Sequence, residues 1–385
     1  MADEANAREF LVQRMYPYEA ALSASDVELS ARLAAREMLR HGTTCFVDPG
    51  NVHPHSTLTG IAPVGIRAVL ARSAFDLAGS EFGAIPAELI STPEQAADEA
   101  GALIESYRGE LGGRVDVSVS FRGLNNSSDE LIGGLLAVSA EHDAVLQMHA
   151  CFAQSTHDSS IGKFGEPEIE RLDRLGALGP RTLIAHAGWL EPHEVRLIRD
   201  SGSSVTLNPS SSMHNGYGVI KMGMVPEMLA DGVNIGLGCD HASSGSVDMV
   251  REMFLATCGY KEVRLIPRVM PPETALEMAT INAARAIGRS HDLGSLEVGK
   301  RADLVLFDAD APAWVPLHNP VSNLVYSATG ATVSTVFVDG ERVVDEGRLT
   351  GLDEAELLAQ VRDLLPEFTQ RLELEPLTTA LWPQE

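Results

Sequence analysis

The sequence predicts an α/β protein, a (β/α)8-type TIM barrel short of its first strand. Three observations carry that expectation. Helical and buried-strand patterns alternate down the chain at the spacing of a parallel sheet with crossover helices. Too many such units follow one another for a small open sheet, and no GxGxxG follows the first strand to support a dinucleotide fold. Three strand patterns also end on possible metal ligands: Gln147-Met148-His149, Ile184-Ala185-His186 and Gly238-Cys239-Asp240.

Taken in order, residues 1–24 are mixed and polar, with an aromatic cluster at Tyr16-Pro17-Tyr18. Residues 25–40 carry apolar side chains at helical spacing, with Ser25 and Asp26 as cap candidates. Gly42 stops that helix, and 43–48 reads as a buried strand. Later strands are expected over 65–70, 115–121, 144–149, 182–186, 204–207 and 233–239. Helices are expected over 93–107, 128–141, 167–175, 192–200, 225–230, 246–258 and 272–287. That makes seven strands, where a closed barrel of this kind has eight. Nothing before Ser25 reads as the eighth.

After Gly294 the pattern changes. Residues 302–308 alternate like a strand, and 333–344 form a hairpin about Asp339-Gly340. The expected organisation is a barrel over 1–290, a small β unit over 291–350, and a C-terminal helix and tail over 351–385.

Composition narrows the function. The chain has 385 residues, 44% hydrophobic and 22% charged, as for a globular protein. A net charge of −25 disfavours nucleic acid and anionic membranes as partners and fits a cytoplasmic protein. The four cysteines have no metal-binding spacing and make no disulfide framework. No signal peptide or membrane-length apolar run is visible.

The chemistry lies at the strand ends, because a barrel gathers the carboxyl ends of its strands at one mouth. Two imidazoles and a carboxylate suit zinc, with iron as the other candidate. A metal held there lowers the pKa of bound water, and a strand-end Asp beside that water can take its proton. Each residue also has a plainer reading. A single strand-end His is most often a hydrogen-bonded structural residue, and Asp240 stands where it could cap the following helix. The case rests on three such residues on three strands.

Those residues and their surroundings resemble the amidohydrolase superfamily, in its cytosine deaminase-like branch of S-adenosylhomocysteine, guanine and triazine aminohydrolases. The resemblance runs from about Leu11 to Leu349. It is carried by His41-Gly42-Thr43-Thr44, Gln147-Met148-His149, Ala185-His186, Asn208-Pro209-Ser210-Ser211, Leu237-Gly238-Cys239-Asp240, and the run from Gly294 through Lys300-Arg301-Ala302-Asp303 to the Asp339-Gly340 hairpin. It implies hydrolysis of a C–N bond in a small cyclic substrate. It further implies His149, His186 and Asp240 as metal ligands, Asp240 as proton acceptor, and a partial β-sandwich after Gly294.

The departures from the family pattern are specific. The family's HxH, at the end of its first strand, belongs before the Gly-Thr-Thr strand, and the chain starts too late to hold it; a truncated reading frame is the expected cause. His53-Pro54-His55 follows that strand and belongs to the next loop. Phe152 stands where the family has a proton-shuttling glutamate. Arg122 and Leu207 occupy strand ends that usually carry histidines. Arg122 is either an anion-binding substrate contact or a salt-bridged structural residue, and His241 is expected to face substrate. His41, His157, His193 and His214 are read as structural. The alternative to a hydrolase is an inactive relative that binds a ligand or partner. An incomplete barrel would also expose strand edges, which favours a homo-oligomer.

Overall fold

The computed structural model describes residues 5–79 and 83–372. The predicted alternation is present throughout. The parallel strands are β1 (Cys45–Val47), β2 (Arg67–Leu70), β3 (Ser73–Ala74), β4 (Val115–Val117), β5 (Val119–Gly123), β6 (Leu146–Ala150), β7 (Thr182–His186), β8 (Ser204–Leu207) and β9 (Ile235–Leu237). They pair in the orders β1-β2-β4 and β3-β5-β6-β7-β8-β9.

The third expected strand is interrupted at Ser118, whose N–H turns to Leu70 O, and the second, which ends at Leu70 as expected, is followed after a break by the additional strand β3. Each break hands the chain from one sheet to the other, so the seven expected strand positions form one curved wall. Among the described residues no strand pairs with the outer edge of β1 or of β9. The open edge explains why β1, expected to be buried, is only partly so along its length.

The helices lie where apolar periodicity places them, with local corrections. The helix Ala24–Arg40 is capped by Ser23, one residue before its first turn. Ser23 accepts the Asp26 N–H while Asp26 accepts the Ser23 N–H, a reciprocal capping box. Ser25, expected as the cap, already lies inside the helix. The expected helix 272–287 is two, Pro272–Ala279 and Ile281–Ala286, because Thr280 leaves helical geometry (φ −128°, ψ −97°). Residues 7–21, which carried no expectation, wind through Ala7–Phe10, a wide π turn at Leu11–Met15 and Tyr16–Ala21. Among the described residues no helix is long and apolar enough to cross a membrane.

The C-terminal segment forms an antiparallel sheet of β10 (Leu304–Phe307), β11 (Val333–Val338), β12 (Glu341–Asp345) and β13 (Arg348–Leu349). Asp339 and Gly340 both take positive φ, 54° and 82°, as a two-residue type I′ hairpin turn requires. Val336, Val338 and Val344 of this sheet share a buried cluster with Ile66, Ala68 and Leu70 beside β2. The helix Glu354–Leu372 follows, and the rest of the expected tail lies outside the described residues.

A buried ion pair fastens the C-terminal sheet to β2. Arg67, its side chain 1% exposed, donates from Nε and Nη2 to the two carboxylate oxygens of Asp303 at 3.1 and 2.9 Å. A buried charge stripped of its partner is costly, whereas an apolar pair of similar volume is tolerated. Asp303→Ala is expected to lower the unfolding free energy by about 3–5 kcal/mol in urea titration. The double replacement Arg67→Met/Asp303→Leu is expected to lose much less.

Candidate metal and active site

At the carboxyl end of the parallel wall, His149 of β6, His186 of β7 and Asp240, just past β9, converge. One ligand atom from each lies within 4.8 Å of the other two. The imidazole centroids of His149 and His186 are 5.5 Å apart, and His186 Nε2 stands 3.9 Å from Asp240 Oδ2. His149 Nδ1 donates to the Arg122 carbonyl at 2.7 Å, which leaves its Nε2 lone pair free for a ligand.

The backbone is bent to present these groups. Cys151, His186, Ala187 and Asp240 all have positive φ, between 46° and 80°, a conformation L residues adopt rarely and at a cost. A close approach helps to hold the Asp240 turn: a Cβ at Gly238 would fall 2.4 Å from Asn208 Oδ1. Ser211 Oγ then donates to Asp240 Oδ2 at 2.5 Å.

Electrostatics follow from burial. Desolvation, reinforced by His186, pushes the His149 pKa down to about 4, and desolvation also lowers His186. Both rings are therefore neutral donors at neutral pH. Burial pushes Asp240 up, but His241, His186, His149 and the Ser211 hydroxyl together hold it below the usual carboxylate value. Two neutral imidazoles and one anionic oxygen fit a divalent cation.

These groups open on a cavity of about 380 Å³, ample for a small cyclic molecule. His241 lines it. It stacks on Phe10 at 4.6 Å, with its Nδ1 2.6 Å from Ser243 Oγ and its Nε2 3.2 Å from Ser211 Oγ. Arg122 lines the cavity too, but its Nη2 is paired with Glu19 Oε2 at 2.6 Å. Of its two expected roles, the salt-bridged one matches this geometry. Phe152 packs against His186 and Tyr217, with ring centroids 5.7 and 5.2 Å away.

The other histidines stand apart from the cluster. His53 Nε2 faces the Leu22 carbonyl at 3.1 Å, and His55 Nδ1 the Tyr107 hydroxyl at 2.7 Å. His41 Nδ1 lies 3.2 Å from the Val247 carbonyl, His193 Nε2 is 2.5 Å from Glu170, and His214 Nδ1 is 3.2 Å from Asn215 Oδ1. The buried His157 Nδ1 has no hydrogen-bond partner among the described residues.

Sequence reasoning missed four contributors. Asp48, at the end of the first strand pattern, lines the cavity, and the strand-end rule that singled out His149, His186 and Asp240 would have flagged it. Ser211 lay inside a quoted motif with no assigned role. Glu19 and Glu168 also line the cavity, and no local pattern marks either.

The sequence matches the amidohydrolase family over residues 5–343. The chain belongs to that family. It is 32% identical over 370 residues to a 5'-deoxyadenosine deaminase of Methanopyrus kandleri, a match covering 96% of this chain and 82% of that protein. It is 30% identical over 363 residues to a 5-methylthioadenosine/S-adenosylhomocysteine deaminase of Syntrophobacter fumaroxidans, covering 94% and 80%. Among solved structures, an adenosine deaminase from Xanthomonas campestris with bound zinc superposes with a TM-score of 0.87 at 26% identity, covering 96% of this chain and 81% of that one. A mutant atrazine chlorohydrolase of Arthrobacter aurescens, complexed with zinc and atraton, gives a TM-score of 0.87 at 22% identity, covering 94% and 83%, and shares the fold. The protein is thus an amidohydrolase with the TIM-type barrel architecture, in the class of hydrolases acting on non-peptide carbon–nitrogen bonds.

Asp48 offers a test of the cavity's dryness. Burial pushes its pKa up to about 6 from 3.8, although Gly50 N–H and the Asn51 amide hydrogen-bond its carboxylate. The folded state therefore holds that proton more tightly than the unfolded chain. Its contribution to stability falls as pH rises from about 4 to about 6 and is flat above. Asp48→Asn removes this dependence. The variant is expected to gain on the parent by up to about 3 kcal/mol between pH 4 and pH 7 in chemical unfolding. An unchanged difference would show that Asp48 is well solvated.

Proposed function

We propose that this amidohydrolase is a metal-dependent aminohydrolase that removes the exocyclic amino group of an adenine-type nucleoside. The observation that carries the reading is the meeting of His149, His186 and Asp240 on one wall of a cavity of ligand size. In this reading these three residues hold a divalent ion, zinc by preference, since the donors are two neutral imidazoles and one carboxylate. The ion supplies Lewis acidity, acidifying water and polarising the carbon under attack.

The chain's own residues do the rest. Asp240 Oδ2, fixed by Ser211 and flanked by His186 and His241, accepts the proton that the attacking water gives up. The aromatic side chains of Phe10, Tyr16, Phe152 and Tyr217 border the cavity and suit a planar ring. His241 meets the substrate beside Asp240. Arg122, neutralised by Glu19, keeps that wall polar without offering an open anion site. The small cyclic substrate is taken to be adenosine-like because the relatives named above include deaminases of 5'-deoxyadenosine and of 5-methylthioadenosine.

We further read the fold as the family's barrel without its first strand, over 1–290. The sheet of 291–350 supplies part of the accompanying β-sandwich. Among the described residues no strand pairs with the outer edge of β1 or of β9, which supports this reading. A non-catalytic binding protein is the second reading, favoured by Phe152, which cannot exchange protons.

Purified protein is expected to carry about one equivalent of zinc, iron or manganese by elemental analysis, and to convert 5'-deoxyadenosine to its 6-oxo product. His186→Ala is expected to lose most of the metal with its fold intact by circular dichroism. Less than about a tenth of an equivalent in the parent protein would overturn the metal assignment. Metal without turnover would leave the binding-protein reading standing.

A further inference from the structure

Hydrolytic deamination needs two proton carriers in one cavity. Water loses a proton as its oxygen adds to the ring carbon, and the amino nitrogen leaves readily only after gaining one. Asp240 answers the first need. The second falls to another cavity-lining group, and the carboxylates available are Glu19, Asp48 and Glu168.

Their positions separate them. Glu19 is held by Arg122 at 2.6 Å, so its carboxylate is already engaged. Asp48 follows β1, and its two carboxylate oxygens are taken within its own loop, Oδ1 by the Gly50 N–H and Oδ2 by the Asn51 amide. Glu168, only 2% exposed, sits at the start of the helix Glu168–Arg174. Its Oε2 accepts the Cys151 N–H at 2.7 Å, two residues beyond His149. The Cys151 carbonyl in turn accepts the N–H groups of Gly188 and Trp189, in the loop that follows His186. Glu168 is thereby fastened to the junction of the two loops that carry the histidines, and it also lines the cavity.

Resting on the aminohydrolase reading, we infer that Glu168 is the acid that protonates the departing amino nitrogen. The carbon–oxygen bond forms with water's electron pair as the π pair of the ring C=N moves to the ring nitrogen; Asp240 takes one of the water's protons, and the other passes from oxygen to that ring nitrogen as the 6-oxo group forms. The carbon–nitrogen bond breaks with its pair passing to nitrogen, which receives a proton from Glu168 and leaves as ammonia. The proton on Asp240 returns through solvent to the Glu168 carboxylate, so water and amine go in and a 6-oxo ring and ammonia come out.

The structure also sets a plainer role that must be told apart. Glu252, fully buried, accepts the Ser210 N–H at 2.9 Å and braces another strand-end loop, so Glu168 could be only a brace. The leaving group distinguishes the two. Chloride departs as an anion and needs no proton, so a 6-chloro analogue of the nucleoside bypasses the acid but not the brace.

The test uses the full metal-loaded chain, with 5'-deoxyadenosine and its 6-chloro analogue as substrates. Glu168→Gln keeps an oxygen for the Cys151 N–H. It is expected to lower kcat on the amino substrate by about 10²- to 10⁴-fold. On the chloro substrate the loss is expected to be under about threefold, with calorimetric affinity for the 6-oxo product and metal content unchanged. Adding Phe152→Glu to that variant is expected to recover part of the amino-substrate rate.

Equal loss on both substrates would make Glu168 a brace and overturn the inference, as would no loss on either. Selective loss in Asp48→Asn in place of Glu168→Gln would move the role to Asp48. If the parent chain turns over neither substrate, the aminohydrolase reading fails and this inference with it. If the parent deaminates and Glu168→Gln does too, only the assignment of Glu168 fails.

Discussion

The structure depends on keeping two imidazoles and a carboxylate within 4.8 Å of one another in a space largely removed from water. Burial alone would push all three toward their neutral forms. For His149 and His186 that is the useful direction, since a neutral ring offers a lone pair. For Asp240 it is the wrong one, and the surrounding His241, His186, His149 and Ser211 reverse it. The site is thus polarised by its own geometry: neutral nitrogen on one side, negative oxygen on the other.

Holding that geometry has a backbone cost, and the scaffold carries it. Four residues near the strand ends sit at positive φ, where a free chain would spend little time. The bends at Cys151 and Asp240 are met by long-range contacts. Glu168 takes the Cys151 N–H, Asn208 packs against Gly238, and Ser211 ties Asp240 to the helix Pro209–Asn215. The N-terminal turns close the opposite side, with Phe10 over His241 and Glu19 against Arg122. Further back, the Arg67–Asp303 pair and the shared valine-rich cluster join the C-terminal sheet to β2.

What could be read in the sequence was what repeats or ends a pattern. Alternating periodicities located nearly all the parallel strands, and His149, His186 and Asp240 were visible because each closes an apolar run. Contacts between distant residues were not visible. Glu19 and Arg122 lie 103 positions apart, and nothing local in Tyr18-Glu19-Ala20 announces a partner. The interruption at Ser118 is also tertiary in origin, since its N–H bonds Leu70 across the wall where the valine pattern simply continues. The misplaced cap is a closer miss. Ser23 and Ser25 both have the right chemistry, and the capping box with Asp26 selects Ser23 only once the turn is formed.

The topology also shapes the cavity's chemistry. With no strand on the outer edge of β1 among the described residues, the cavity runs on from the polar cluster to the inner face of the helix Ala24–Arg40, where Val27, Ala31 and Met38 line it beside Phe46. One end is therefore polar and charged, the other apolar. A ligand with a polar reacting ring and an apolar substituent would match both ends at once, each burying its like. The polar end and the apolar end thus follow from one arrangement of strand ends and N-terminal helices among the described residues.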